Sequence, residues 1–88
     1  MSRYTWKDGE WSEGTIVQKP FVEMHILSSV LHYGQALFEG LKVFSRADGT
    51  IAQYQPYGGN VDRMARGCAR LGMPSVDADM FNGAIERV

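Results

Sequence analysis

The sequence predicts an α+β fold over residues 1–88, a small antiparallel sheet with flanking helices. Three observations lead there. Two Asp-Gly dipeptides, Asp8-Gly9 and Asp48-Gly49, stand between β-branched or aromatic residues, as tight hairpins require. Val61, Met64, Ala65, Cys68 and Leu71 recur at the spacing that a helix gathers onto one face. Met80, Phe81, Ala84, Ile85 and Val88 repeat that spacing after Asp77.

Taken in order, Tyr4-Thr5-Trp6 and Trp11 flank the first turn and predict a β-hairpin or an irregular β entry. Phe21 to Leu27 alternates imperfectly and reads as a strand with one apolar face. Val30, Leu31, Leu37 and Phe38 recur at helical spacing, which predicts a helix near 30–39, capped by Ser28 or Ser29 and ended by Gly40. Leu41 to Arg46 and Thr50 to Gln55 form the clearest hairpin, with Pro56 and Gly58-Gly59 stopping its second strand. Asn60 is placed to cap a helix over 61–71, which Gly72 can end and Pro74 cannot continue. Asp77 caps a last helix over 77–88, with Asp79 in the first turn where the helix dipole favours an anion. Val88 is still in phase with that stripe, so a longer protein is expected around this stretch.

Composition narrows the function classes. With 44% hydrophobic and 22% charged residues, the 88-residue chain has globular composition. Such a chain buries roughly 60–65% of its unfolded surface, enough for one modest core. Nine basic against ten acidic residues give a net charge of −1, with no bulk attraction to nucleic acid or anionic lipid. The longest apolar run is Ala36-Leu37-Phe38, far too short to span a membrane, and Met1 to Asp8 resembles neither a secretory signal nor a transit peptide. Cys68 stands alone, which suits a reducing compartment; a cytoplasmic location is expected, with a mitochondrial one as the alternative. His25, His32 and Cys68 lack metal-site spacing, so no metal is expected.

Arg63, Arg66 and Arg70 fall within about 60° of one another on a helical wheel, opposite the apolar stripe. Arg66 and Arg70 read as a solvated basic face. Arg63 lies in the first turn, where a cation opposes the helix dipole and where first-turn N–H groups and a guanidinium together suit an anion. Its partner is either a phosphate or a neighbouring carboxylate. The stretch Leu31 to Gly40 gathers Tyr33, Phe38, a histidine and two glycines, whose small size would let backbone approach a ligand.

The run HYGQALFEGLKVF, then ADG, QYQP and NVDRMARGCARLGMP, resembles the N-terminal domain of branched-chain amino-acid aminotransferases, fold-type IV enzymes that use pyridoxal 5'-phosphate. HYG-x-x-x-FEG followed by N-x-x-R-M is distinctive of that family. D-amino-acid transaminases and aminodeoxychorismate lyases share the fold but usually carry a GDG-type run instead. The opening YTWKDGEW looks like the eukaryotic, especially fungal, members. The resemblance implies that Arg63 holds the cofactor phosphate, that Tyr33 and Phe38 line the pocket for the substrate side chain, and that Gly40 shapes the wall near the substrate. It makes His32, Glu39 and Lys42 structural. It also implies branched-chain amino acids and 2-oxo acids as substrates, and a homodimer.

One departure bears on activity. The family's lysine that bonds covalently to the cofactor lies in its second domain, and Lys7, Lys19 and Lys42 match no such context. The 88 residues alone are therefore expected to be inactive, with no residue among them carrying the catalytic step. Two alternatives remain: a truncated, non-catalytic chain that serves as a dimerisation or interaction domain, and a sibling transaminase of different substrate.

Overall fold

The computed structural model describes residues 1–54 and 59–88, and its contacts divide into two compact units, Met1–Gln35 with Asp77–Val88, and Ala36–Val76.

In the first unit, β1 (Ser2–Arg3) pairs antiparallel with β4 (Thr15–Ile16), and β2 (Trp6–Lys7) pairs with β3 (Glu10–Trp11). Asp8 and Gly9 both take positive φ (53° and 86°), the conformation that lets a two-residue turn follow the strand twist. Trp6 and Trp11 face each other edge-on, their centroids 5.3 Å apart. Of the two readings of this stretch, the hairpin is the one present, with its register fixed at Trp6↔Trp11. The N-terminal ammonium donates to the Val17 carbonyl (2.9 Å) and Val17 N–H returns a bond to Met1 (2.8 Å), extending the β1–β4 ladder by one step.

Two expected elements before residue 40 fail. Phe21 to Leu27 forms no strand. His25 Nδ1 accepts from Leu27 N–H (3.1 Å) and its carbonyl accepts from Ser28 N–H (2.9 Å), so the backbone turns before a ladder could form. Phe21, Ile26 and Leu27 consequently stay more than two-thirds exposed, at 76%, 71% and 74%. The helix expected near 30–39 is only α1 (Ser29–Tyr33). Gly34 adopts the left-handed conformation (φ +65°) and ends it, the role expected of Gly40. Ser28 does occupy the cap position, but its hydroxyl makes no capping bond.

α3 (Ala78–Glu86) follows its sequence signals: Asp77 is the N-cap and its Oδ1 accepts from Met80 N–H at 2.8 Å. Met80, Phe81, Ala84 and Ile85 are half-buried, and the helix packs on β1. Val88 lies past the helix end and is exposed, so it leaves the stripe. Arg87 donates to the Gly14 carbonyl (2.8 Å), tying the end of α3 to the stretch before β4.

In the second unit, β5 (Lys42–Ser45) pairs antiparallel with β6 (Ile51–Tyr54), closed as expected by Asp48-Gly49. Asp48 Oδ1 accepts from both Thr50 N–H (2.9 Å) and Thr50 Oγ1 (2.7 Å), and these bonds hold its carboxyl below the ordinary carboxylate range. The expected strand stop at Pro56 and Gly58 lies outside the described residues. α2 (Asn60–Leu71) begins at a Gly59 cap and ends at Gly72, whose N–H bonds the Ala69 and Cys68 carbonyls. The cap expected of Asn60 is thus displaced by one residue. Asn60 is the first helical residue, and its amide points inward. Cys68 and Asn60, each 2% exposed, are the two fully buried residues among those described. The strands form three separate two-stranded ladders among the described residues, where one small sheet was expected; β1 to β4 are two residues long, too short to present a face to a third strand.

Candidate functional site

The site grows from the first turn of α2 and the segment that crosses it. Asn60, Arg63 and Gly67 fall within about 60° on the helical wheel and form one edge of the helix. Leu37 seats its side chain against Gly67 so closely that a Cβ there would lie 2.6 Å from Leu37 Cδ2. Farther along, Glu39 and Gly40 meet Asn60 and Arg63. Residues 37–40 therefore run antiparallel to α2, each step carrying the segment toward the helix N-terminus.

Asn60 Nδ2 donates to Glu39 Oε1 (2.7 Å) and to the Gly40 carbonyl (2.9 Å). Two acceptors on one side fix the amide orientation, because a flipped amide would set oxygen against oxygen. Its Oδ1 is buried with no hydrogen-bond partner among the described residues. Arg63 Nε donates to Glu39 Oε2 (2.7 Å) and its Nη2 donates to Glu39 Oε1, a two-pronged ion pair. The two partners differ in setting: the Glu39 side chain is 4% exposed and that of Arg63 59%. The Arg63 hydrogen bonds, then that from Asn60, hold the Glu39 carboxyl down from 4.5 to about 2, and the same pair pushes Arg63 up. Nη1 and the outer Nη2 hydrogen of Arg63 have no partner among the described residues, and Gly59 supplies no side-chain cap to the helix start.

Of the two partners left open for Arg63, the structure shows the carboxylate. Phe38 and Gly40 flank Glu39 in the same unit, with the Phe38 ring 91% exposed. A Cβ at Gly40 would meet that ring at 3.5 Å, ordinary contact. Tyr33 belongs to the other unit and is 87% exposed. His32 Nε2 lies 2.6 Å from the Ile26 carbonyl, and Lys42 is exposed on β5. Arg66 and Arg70 are exposed, as a solvated face requires. The inward role of Asn60 and the grip of Glu39 on Arg63 were not read from spacing; the FEG motif was the one signal that put Glu39 near the site.

Comparison with known proteins then decides the relationship. The branched-chain-amino-acid aminotransferase of Haemophilus influenzae is 42% identical over 83 residues, covering 94% of this chain and 24% of its own length. That of Helicobacter pylori is 39% identical over 84 residues, with 96% and 24% covered. The chain is a relative of the branched-chain-amino-acid aminotransferases. A fungal relative with a broader name, the aminotransferase TOXF of Cochliobolus carbonum, is 38% identical over 79 residues, with 90% of this chain and 22% of its own length covered. The chain spans about a quarter of the length of these curated aminotransferases. No family model matches it.

Proposed function

We propose that this chain is the N-terminal small domain of a fold-type IV aminotransferase that passes the amino group of leucine, isoleucine or valine to 2-oxoglutarate, acting as a homodimer. The observation that supports it most is the meeting of two motifs in one unit, where Glu39 of FEG holds Arg63 of N-x-x-R-M. The residues fit pyridoxal 5'-phosphate: among the described residues, an exposed guanidinium with an unshared donor edge sits beside a helix start that no side chain caps, and both favour phosphate oxygens. When bound, that cofactor supplies the electron sink the amino-group transfer needs. Arg63 grips its phosphate, Phe38 offers an apolar surface to the substrate side chain, and the bare Cα of Gly40 leaves room beside the ring. Tyr33 is assigned a substrate contact on its motif alone. Lys7, Lys19 and Lys42 are all exposed, and the covalent cofactor lysine is assigned to the remainder of a longer protein.

A sibling transaminase with another substrate is the second reading, favoured by the fungal relative whose name specifies none. The test is transamination by the full-length protein carrying this chain, with leucine, isoleucine, valine and an aromatic amino acid each set against 2-oxoglutarate. An apolar pocket discriminates by about 1–3 kcal/mol per methylene. Phe38→Ala should therefore raise KM for leucine and isoleucine more than for 2-oxoglutarate. Because the ring is exposed, the same change should leave thermal stability within about 0.5 kcal/mol. Preference for the aromatic substrate selects the sibling reading, and turnover of no amino acid refutes both.

A further inference from the structure

We propose that Glu39, itself held by Asn60, is the positioning residue for Arg63, fixing the guanidinium so that its unshared edge meets a phosphate group. This rests on the phosphate role proposed for Arg63.

An exposed arginine ordinarily samples many rotamers, and most surface ion pairs constrain it little. This pair differs in three respects. The carboxylate is nearly buried (4% exposed) while the arginine is not (59%), so the acceptor is the fixed member and the arginine the one being held. Asn60 Nδ2 donates to the same Oε1 that Arg63 Nη2 uses, and also to the Gly40 carbonyl, so the carboxylate is anchored at its head and through the backbone of the next residue. Bonds from both Nε and Nη2 fix the plane of the guanidinium, which a single contact would leave free to rotate. The cost is electrostatic: Glu39 cancels the charge that would draw a phosphate. Orientation and attraction thus make opposite predictions for the loss of Glu39, which makes the proposal testable.

The experiment is a nuclear magnetic resonance titration of the cofactor-free full-length protein carrying this chain with inorganic phosphate and with pyridoxal 5'-phosphate, reading the Arg63 Nε–H resonance and the phosphorus signal. Saturable binding to the wild type is expected, lost in Arg63→Ala and unchanged in Arg66→Ala. Glu39→Asp keeps the charge but is one methylene too short to reach both partners. Glu39→Gln brings an amide donor against donors from Asn60 or Arg63. Each should weaken binding by roughly tenfold, the loss of one charge-assisted bond's geometry. Tighter binding by Glu39→Gln, with Glu39→Asp matching wild type, would mean that Glu39 only neutralises and would overturn the proposal. Equal binding by Arg63→Ala would instead remove the phosphate role, whatever Glu39 does. Should a Glu39 variant fail to fold by circular dichroism, the wild type alone still decides. Its Arg63 Nη groups must show hindered rotation, and free averaging would refute the positioning role.

Discussion

Replacing Gly67 by alanine sets two effects of opposite sign against each other. Inside a helix alanine is favoured over glycine by about 0.8–1 kcal/mol, so an exposed position would gain stability. At Gly67 the new Cβ would lie 2.6 Å from Leu37 Cδ2, 3.1 Å from Cδ1 and 3.4 Å from Cγ. Overpacking of this kind costs about 1–3 kcal/mol, and the lower half applies because the clash meets a half-buried side-chain end and not backbone. The net effect is a loss of up to about 1 kcal/mol, or a melting point a few degrees lower in a domain of this size. Thermal unfolding followed by circular dichroism in wild type, Gly67→Ala, Leu37→Ala and the double variant isolates the contact. Without Leu37 the clash partner is gone, so Gly67→Ala should then stabilise by about 1 kcal/mol. If Gly67→Ala raises the melting point equally in both backgrounds, Leu37 does not seat on α2 and the antiparallel course of residues 37–40 is wrong.

Two further outcomes follow from single contacts. Asp77→Ala should lower stability by about 1 kcal/mol through loss of the bond to Met80 N–H, whereas Asp79→Ala, which removes no cap, should cost less; urea unfolding of both separates them. The folded Glu39 carboxyl titrates near 2, below its ordinary value of 4.5, so its contribution to stability is complete above about 4.5 and is lost as the pH falls through about 2. Carbon-13 titration of the side chain reads this directly, and a midpoint near 4.5 would show that the Arg63 pair does not hold in solution.

How much was legible depended on whether a signal was local. Asp8-Gly9 fixes its hairpin because two adjacent positive-φ residues set the turn, and Gly49 supplies the positive φ that closes the three-residue loop between Arg46 and Thr50. Asp77 announces α3 because a cap bonds within its own first turn. The helix expected near 30–39 failed for a related reason. Val30, Leu31, Leu37 and Phe38 keep helical spacing on either side of Gly34, and spacing does not register the one residue whose left-handed φ breaks the run. Alternation from Phe21 to Leu27 named two faces without naming a partner strand, and no ladder forms there. At the site, the first turn of α2 marked Arg63 but left its partner open. Glu39 lies 24 residues away, and nothing in helical periodicity says which loop will cross a helix start.

Asn60 shows what that crossing requires. It fills one of the two buried positions among the described residues, with Oδ1 left without a partner there. An apolar residue would cover the helix start equally well but could not bind the Glu39 carboxylate and the Gly40 carbonyl together. Those two bonds set the register of the segment against α2, since a slip of one residue would leave Nδ2 without either acceptor. Leu37 against Gly67 sets how closely the segment approaches, and the Asn60 amide sets where along the helix it stops. Only with both fixed do Glu39 Oε1 and Oε2 fall opposite Arg63 Nη2 and Nε. The buried amide thus acts through Glu39 on an exposed guanidinium and gives the surface arginine a single direction.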